Sequence, residues 1–443
     1  MATPSSPQAP SPLRVLTGIT TSGTPHLGNY VGSIRHSVRQ SVAPGVETFF
    51  FLADYHALIK VSDPALIRRS TLEIAASWLA CGLDPERVTF YRQSDIPEIP
   101  ELTWFLTCVT GKGLLNRAHA YKASVDRNVA KGDDPDADVS AGLFMYPVLM
   151  GADILLFNAH QVPVGRDQIQ HIEMARDMGQ HFHHLYGEHC SLPEALIDDA
   201  VATLPGLDGR KMSKSYGNTI PLFAPRAQLQ KQIAAVVTDS RAPGEPKETE
   251  GSALFQIYQA FADEAETQTL RKAFAEGIGW GDAKQLLFER IDREIAPMRE
   301  RYEALLADPA GIERTLLAGA AKARRLSQPF MGRLRHAVGL RDLGAQQAGG
   351  TGNAKKASKA IAARPSFKQY RERDGRFYFK LLDARGEPLL QSLAFASPQE
   401  AGRAIALLQQ ERAAALTTLA GQLESLSTEQ AEAAAAALET MAV

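Results

Sequence analysis

Short runs of apolar residues recur along the first half of the chain and predict buried strands. The runs are Arg14 to Ile19, Val46 to Leu52 and Val88 to Arg92. Nearly all-apolar runs of this length are typical of parallel strands that are buried on both faces. The second run leads directly into the polar sequence Asp54-Tyr55-His56.

Stretches with helical spacing lie between these runs. Apolar residues recur at near-helical spacing from Gly28 to Val42 and predict a first helix. Asp63, as N-cap, and Pro64, at the first helical position, begin a second predicted helix that stops near Gly82. Strands that alternate with helices predict a Rossmann-like, doubly wound parallel α/β sheet, which binds ligands at the carboxyl ends of its strands.

The pattern changes after the predicted sheet. From Ala224 to about Val338 it is helical and without a strand pattern, which predicts an all-helical domain. Residues 112 to 139 are mostly polar and charged, and this composition predicts a partly mobile surface insertion. The stretch from Gly344 to Arg364 is basic and rich in small residues, as expected for a linker.

A small β–α module is predicted after the linker. Three short strands begin at Phe367, Arg376 and Leu389, and Ser397-Pro-Gln-Glu400 forms a capping box that opens a helix. These elements resemble the small YegP-like modules. The predicted organisation is a disordered tail (1–12), a catalytic domain (13–223), a helical domain (224–343), a linker (344–366), the module (367–412) and a helical tail (413–443).

Composition and charge set limits on the function. The 443 residues include 48 Lys and Arg against 50 Asp and Glu, a net charge of −2, so any RNA contact must depend on local basic patches. The cysteines, Cys81, Cys108 and Cys190, are few and widely spaced, which argues against a disulfide framework and for a reducing compartment. No apolar run is long enough to span a membrane, and the N-terminus does not have the pattern of a signal peptide. A cytoplasmic enzyme fits these properties.

Two distant segments carry features of an anion site. Pro25-His-Leu-Gly28-Asn-Tyr30 follows the first strand and opens the first helix, where backbone N–H groups and the helix dipole attract an anion. Gly28 allows a nucleotide to lie close to the backbone, and His26 adds a hydrogen-bond donor. Lys211-Met-Ser-Lys-Ser215 brings two lysines around a serine within a loop. Each segment alone is weak evidence, since an ordinary turn or a solvated loop would look the same.

In this order, the two segments resemble the HIGH and KMSKS signatures of class I aminoacyl-tRNA synthetases, and the residues between them resemble the tryptophanyl family. The resemblance covers residues 13 to 338. It implies an enzyme that joins tryptophan to tRNA(Trp) through an adenylate, with ATP as substrate, Mg²⁺ beside its phosphates, a homodimeric assembly and a helical domain that reads the anticodon. It also implies that the loop Gly206 to Asn218 closes over ATP.

One segment between the signatures suggests an amino-acid pocket. Pro147 suits the first turn of a helix, so Tyr146, Met150 and Asp153 stand at i, i+4 and i+7 and point the same way. Asp153 lies in a strongly apolar run, where an unpaired carboxylate is costly. The spacing alone leaves open a buried aspartate that is satisfied by a backbone N–H or a basic side chain.

The resemblance implies the role of each site residue. It places tryptophan against Leu16, Gly18, His56, Tyr146, Met150, Asp153 and Gln168. It places ATP against Thr20, Gly28, Asn29, Gly165, Asp167, Lys211, Met212, Ser213 and Lys214. It assigns catalysis to His26, Lys211, Ser213 and Lys214, with no protein-bound metal. The family has a glutamine at the position of Thr20, so this chain differs from the family where the amino-acid carboxylate or pyrophosphate is held.

Two other functions are compatible with part of this pattern. The tyrosyl family reuses the Tyr and Asp, but it has Gln at the position of Met150 and Tyr at that of Leu16. A paralogue that binds nucleotide or RNA without charging is a further alternative. The cluster from His181 to Cys190 matches no metal-binding spacing and is interpreted as a polar helix end.

RNA contacts are the least visible part of the sequence. Arg226, Lys231, Lys322, Arg324 and Arg325 lie in the helical domain, where the resemblance implies anticodon binding. Basic residues there more often belong to solvated faces. The basic and aromatic strands of the C-terminal module suit either tRNA or a protein partner.

Overall fold

The computed structural model describes residues 12–197, 203–341 and 365–441, apart from residues 373 and 385 and the side chain of Asp167. The chain divides into two compact units, with the boundary between residues 342 and 343. Except for their last residues, the predicted tail (1–12) and linker (344–366) lie outside the described part of the chain.

The first unit is built on a five-stranded parallel sheet with the order β3-β2-β1-β4-β5. Its strands are β1 (Leu13–Thr20), β2 (Val46–Ala53), β3 (Thr89–Arg92), β4 (Gln161–Pro163) and β5 (Glu194–Leu196). The three strands predicted from the apolar runs are therefore confirmed, as is the Rossmann-like fold class. β1 is central and pairs with β2 along its whole length, so Thr20 lies opposite Ala53 at the carboxyl edge.

Nine helices accompany the sheet up to β5 within the described residues. They are α1 (Leu27–Asn29), α2 (Arg35–Gln40), α3 (Asp54–Ala57), α4 (Pro64–Ala80), α5 (Glu98–Val109), α6 (Lys112–Leu115), α7 (His119–Lys131), α8 (Ala141–Leu155) and α9 (Ile169–Tyr186). A π-helical turn, Tyr30–Ile34, joins α1 to α2, so the predicted first helix is one continuous element. The predicted N-cap of α4 is confirmed, because the Asp63 carboxylate accepts from the Ala65 N–H at 2.8 Å.

One local prediction needs correction. α8 begins at Ala141, where the Ser140 hydroxyl accepts from the Leu143 N–H at 3.1 Å, so Pro147 lies inside the helix and not in its first turn. The N-cap decides where the helix begins, and a proline further along is tolerated at the loss of one backbone hydrogen bond. Within the predicted surface insertion, residues 112–139, the chain forms the two helices α6 and α7 and then a turn region.

The predicted helical region is confirmed as all-helical within the described residues. It contains α10 (Arg226–Ala234), α11 (Ala253–Phe261), α12 (Glu264–Ala275), α13 (Trp280–Ala307) and α14 (Pro309–Ala337). α14 lies directly on β3, where a Cβ at Gly319 would stand 1.6 Å from the Phe90 carbonyl oxygen. Phe288 and Leu316 share a hydrophobic core with Phe50 of the sheet, so the helices and the sheet form one compact unit.

The second unit is a small antiparallel sheet covered by helices. Its elements are β6 (Ser366–Arg371), β7 (Phe377–Leu382), β8 (Pro388–Gln391), α15 (Pro398–Glu411), α16 (Ala413–Thr418) and α17 (Thr428–Thr440). The Ser397 hydroxyl caps α15 by accepting from the Glu400 N–H at 3.2 Å, as predicted. Ala415 and Leu438 are buried in the core of this unit, so the predicted helical tail is part of its fold. Across the described helices of both units, none combines the length and apolar character needed to cross a membrane.

Candidate active site

A cleft of about 1,080 Å³ opens at the carboxyl edge of the sheet, between the turn after β1, the first helix, the turn after β4 and the KMSKS-like segment. The predicted ATP-binding and catalytic residues on its wall are Thr20, His26, Gly28, Asn29, Gly165, Lys211, Met212, Ser213 and Lys214. The backbone of Asp167 lies in the 3₁₀ turn Arg166–Gln168, and its side chain is outside the described part of the structure.

His26 is a neutral imidazole at the start of the first helix. Its backbone N–H donates to the Asn29 side chain at 3.1 Å, and its ring is buried. Burial, followed by the nearby charge of Lys214, lowers the pKa of His26 to about 4. A Cβ at Gly28 would lie 3.0 Å from the His26 Nδ1, so the glycine makes room for this ring. His26 can therefore offer a hydrogen bond to a phosphate at neutral pH without carrying a charge.

Lys214 reaches from the KMSKS-like segment to the turn after β1. Its Nζ donates to the Ser22 carbonyl at 3.2 Å. The next residue, Gly23, has a φ of +106°, and a Cβ there would lie 3.3 Å from the same ammonium. Partial desolvation lowers the pKa of Lys214, and the Glu73 carboxylate opposes that shift. The two signatures thus meet at one wall of the cleft, although they are far apart in the sequence.

The remaining residues of the KMSKS-like segment have different environments. Lys211 is exposed toward the cleft. Met212 is buried in the core, and its backbone N–H donates to the Leu204 carbonyl at 2.8 Å. Ser213 and Ser215 lie with their hydroxyl oxygens 2.8 Å apart. The methionine therefore anchors the segment, while its neighbours are free to face a polar ligand.

Asn218 holds this segment in shape, and the sequence analysis gave it no role of its own. Its side-chain oxygen accepts from the Ser213 N–H at 2.8 Å. Its amide group donates to the Asp208 carboxylate at 2.7 Å and to the Lys211 carbonyl at 3.1 Å. A Cβ at Gly206 would lie 2.4 Å from the Asn218 side chain, so this amide also requires glycine as its neighbour.

Asp153 lies at the inner face of α8 and is fully buried. Its Oδ1 accepts from the Gln93 Nε2 at 2.8 Å, and its Oδ2 lies 2.9 Å from both the Gln93 Nε2 and the His56 Nε2. Burial raises the pKa of Asp153, whereas the His56 and Gln93 hydrogen bonds act against that shift. Among the described residues, the partners of this carboxylate are therefore an imidazole and an amide, and not an internal arginine.

The aromatic rings of Tyr146 and His56 lie beside this carboxylate. The ring of Tyr146 lies edge-on to the ring of His56, with 6.5 Å between their centroids. The Tyr146 hydroxyl is hydrogen-bonded to the His171 Nε2, which fixes the ring. His56, Tyr146 and Asp153 are thus brought together as predicted, and His171 adds a support that the sequence analysis missed.

The other predicted tryptophan-binding residues have apolar or packing environments. Leu16 is buried, and Met150 packs against the same apolar core from the half-buried face of α8. A Cβ at Gly18 would lie 2.5 Å from the Phe51 ring, so packing alone requires this glycine. Gln168 is half-buried at the last position of the 3₁₀ turn before α9.

Gln93 is a third functional residue that the sequence pattern did not reveal, after Asn218 and His171. It is the first residue after β3, so it lies at the carboxyl edge where ligands bind. His56 follows the end of β2 in the same way, so the rule that ligands bind at strand ends points to Gln93 as well as to His56.

Part of the predicted RNA surface is engaged within the protein. Lys322 donates to the Pro85 carbonyl at 2.5 Å, and Arg324 pairs with the Glu98 carboxylate at 3.0 Å. Arg226 pairs with Asp292 at 2.9 Å. Lys322 and Arg324 fasten α14 to neighbouring elements, whereas the Arg226 side chain stays largely exposed and its ion pair lies within the helical region.

The histidine cluster in and after α9 contains one close pair. The His183 Nε2 lies 3.2 Å from the Cys190 sulfur, and burial raises the pKa of this thiol to about 12. Among the described side chains, no group of three His, Cys, Asp or Glu is arranged to hold a metal ion. The pair is best explained as local packing.

Comparisons with known proteins converge on one enzyme family. A family model described as tRNA synthetases class I (W and Y) matches residues 8–295. The chain is 66% identical to a tryptophan–tRNA ligase of Xanthomonas axonopodis pv. citri over 410 residues, 92% of this chain and 94% of the relative. It is 62% identical to that of Pseudomonas aeruginosa over 392 residues, 88% and 87% of the two chains. The crystal structure of a Campylobacter jejuni tryptophanyl-tRNA synthetase complexed with ADP and tryptophan is 42% identical, with a TM-score of 0.68, and covers 74% of this chain and 100% of its own.

Proposed function

This chain belongs to the class I tRNA synthetases of the tryptophan and tyrosine family, and we propose that it acts as a tryptophan–tRNA ligase. It activates L-tryptophan with ATP to tryptophanyl-adenylate, transfers the tryptophanyl group to tRNA(Trp), and releases pyrophosphate and AMP. Relatives that carry this name are more than 60% identical over nearly all of both chains.

The observation that carries the choice of tryptophan is the buried carboxylate of Asp153. An indole has one N–H donor and no acceptor, so its natural partner is a group that only accepts. The carboxylate is such a group as long as it stays ionised, and His56 and Gln93 both favour that state. The half-buried thioether of Met150 and the buried Leu16 supply apolar surface for the rings.

Tyrosine is the main competitor, because the family includes both specificities. A phenol hydroxyl both donates and accepts a hydrogen bond. Met150 and Leu16 offer it no donor, and a buried oxygen without a partner costs about 1–3 kcal/mol. This cost discriminates against tyrosine, while an indole loses nothing on the same surface.

ATP occupies the cleft at the carboxyl edge of the sheet. The tryptophan carboxylate attacks the α-phosphorus of ATP, and the bond to the bridging oxygen breaks as pyrophosphate leaves. Lys211 and Lys214 stabilise the negative charge that develops on the leaving group, and Ser213 and the neutral His26 donate hydrogen bonds. Thr20 lines the cleft at the position where the family has glutamine. A ribose hydroxyl of the terminal tRNA adenosine then attacks the acyl carbon, and AMP leaves.

Mg²⁺ enters this proposal as an ion carried by ATP. Such an ion is held by phosphate oxygens and water. When bound, it supplies positive charge that neutralises the phosphates.

We assign tRNA anticodon binding to the helical region of residues 224–343. With Lys322 and Arg324 engaged inside the protein, the exposed Arg226, Lys231 and Arg325 are the basic side chains to test first. Charging of tRNA also implies a cytoplasmic location.

A homodimer is the assembly that we propose, and α5 presents a suitable surface. Trp104 is 66% exposed, and Cys108 is exposed one turn further along the helix. Large exposed aromatic side chains are characteristic of protein interfaces. Light scattering of the full chain should give twice the 48.1 kDa of one chain, and a monomer mass would refute this assembly.

The experiment that tests the function is amino-acid-dependent ATP–pyrophosphate exchange with each of the twenty amino acids, followed by charging of tRNA(Trp). We expect exchange with tryptophan above all others. Exchange with tyrosine instead would establish the tyrosyl alternative, and no exchange with any amino acid would favour a paralogue that does not charge tRNA.

A further inference from the structure

The side chain of Gln93 is fully buried between two polar groups of the amino-acid pocket. Its Oε1 accepts from the Tyr55 N–H at 3.1 Å, and its Nε2 faces both oxygens of Asp153 at 2.8 and 2.9 Å. A backbone N–H can only donate, so the amide oxygen of Gln93 must point to Tyr55. The amide NH₂ must therefore point to the carboxylate.

This arrangement leaves the two carboxylate oxygens unequal. Within the described residues, Oδ2 is contacted by both His56 and Gln93, whereas Oδ1 is contacted by Gln93 alone. A carboxylate oxygen has two lone pairs. Oδ1 consequently retains an acceptor position for an additional donor.

We propose that Gln93 is a positioning residue for tryptophan selection, which holds the Asp153 carboxylate so that Oδ1 accepts the indole N–H. The inference rests on the proposed function, because it needs Asp153 to bind the indole. Gln93 acts through Asp153 and need not touch the substrate.

The charges around Asp153 make this support necessary. His56 and Asp54 of α3 and Tyr91 of β3 are the titratable groups that interact with it among the described residues. Asp54 adds repulsion and burial adds desolvation, and both favour the protonated acid. A protonated Asp153 would offer an O–H where the indole needs an acceptor. Gln93 counters this with a donor that carries no charge and does not titrate.

Gln93→Glu is the informative substitution. It keeps an oxygen for the Tyr55 N–H but places a second carboxylate against Asp153 when both are ionised. Two such groups share one proton at lower pH, because their mutual repulsion raises the pKa of the pair. The shared proton restores a donor to Asp153.

The experiment is tryptophan-dependent pyrophosphate exchange with the full chain over about pH 6 to 9, where such a pair can titrate. We expect Gln93→Glu to raise the KM for tryptophan about tenfold at the alkaline end, as for the loss of one hydrogen bond to a charged group. The defect should shrink toward wild type as the pH falls, while the KM for ATP stays unchanged. Gln93→Met, which has neither bond, should show the defect at every pH, and it replaces Gln93→Glu if that variant does not fold.

Two controls define the result. Gln170→Ala removes a glutamine that bonds the His119 N–H and the Arg117 carbonyl, both at 3.0 Å, away from Asp153, and it should behave as wild type. In an Asp153→Asn background, Gln93→Met should add little, because its target is already lost.

The outcomes separate this inference from the proposed function. A tryptophan KM that stays at the wild-type value in both Gln93 variants would overturn the inference alone, provided that Asp153→Asn is defective. An equal rise in the KM for ATP would also overturn it, since that is the mark of general disruption. A wild-type chain without tryptophan-dependent exchange would overturn the proposed function first.

Discussion

Replacing Asp153 with asparagine tests the amino-acid pocket directly. The substitution keeps the shape of the side chain but removes its charge and turns one oxygen into an NH₂ group. Gln93 faces both oxygens with its own NH₂, and the Tyr55 N–H prevents its amide from turning over. Whichever way the new amide lies, one of its contacts with Gln93 becomes donor against donor.

The expected magnitude follows from the lost bond. A hydrogen bond to a charged group contributes about 1.5–3 kcal/mol. At about 1.4 kcal/mol for each factor of ten, kcat/KM for tryptophan should fall about 10- to 150-fold. The KM for ATP should not change, because the proposed nucleotide site lies in the cleft, whose wall does not include Asp153.

The assay is pyrophosphate exchange with tryptophan and with its benzothiophene analogue, which lacks the N–H. Wild type should prefer tryptophan, and Asp153→Asn should lose that preference by activating both poorly. Asp95→Asn is the matched control, because this carboxylate lies on the same turn as Gln93 but pairs with Arg92 at 2.9 Å. Unchanged kinetics for Asp153→Asn would refute the assignment of this residue to the indole.

Three further predictions concern the rest of the chain. Deleting residues 343–443 should leave tryptophan-dependent exchange intact, because the boundary between the compact units falls there. Asn218→Ala should lower kcat for exchange about tenfold or more, as for the loss of buried hydrogen bonds, with the KM for tryptophan unchanged. Burial lowers the pKa of His26 from 6.5 to about 4, so the stability that depends on its neutral form is complete above pH 6.5 and is lost as the pH falls through about 4. His26→Asn should flatten that part of a plot of urea midpoint against pH.

Each of these predictions has an outcome that contradicts it. Loss of exchange in a folded truncation would place the C-terminal unit in the active site. A normal kcat in Asn218→Ala, matching the surface control Asn116→Ala, would mean that the segment does not need its internal support. An identical acid profile in His26→Asn and wild type would show that His26 does not resist protonation in the folded protein.

The sequence was sufficient for the parts of the site that depend on local pattern. The apolar runs located three strands, and their carboxyl ends located the cleft. Tyr146, Met150 and Asp153 were placed together by helical spacing alone, even though Pro147 is not at the start of the helix. These features are set within a few residues, so periodicity and capping can reveal them.

The partners of the site residues could not be predicted in the same way. Gln93 and Asp153 are 60 residues apart, and Lys322 lies 237 residues from the carbonyl that it binds. No local sequence pattern distinguishes a lysine that binds a backbone carbonyl of its own chain from one that binds RNA. Asn218 is close in sequence to the groups that it binds, but its role depends on a loop conformation that residue spacing does not specify.

The pocket also shows why a parallel sheet suits this chemistry. A buried carboxylate is useful to an indole only while it is ionised, and burial alone would neutralise it. The two donors that oppose neutralisation come from different strands, since His56 lies in the helix after β2 and Gln93 follows β3. Parallel pairing brings both strand ends to one edge of the sheet, where α8 presents Asp153 to them. The topology thus supplies the donors that oppose neutralisation of Asp153, and the proposed amino-acid selection depends on strand order as much as on any single residue.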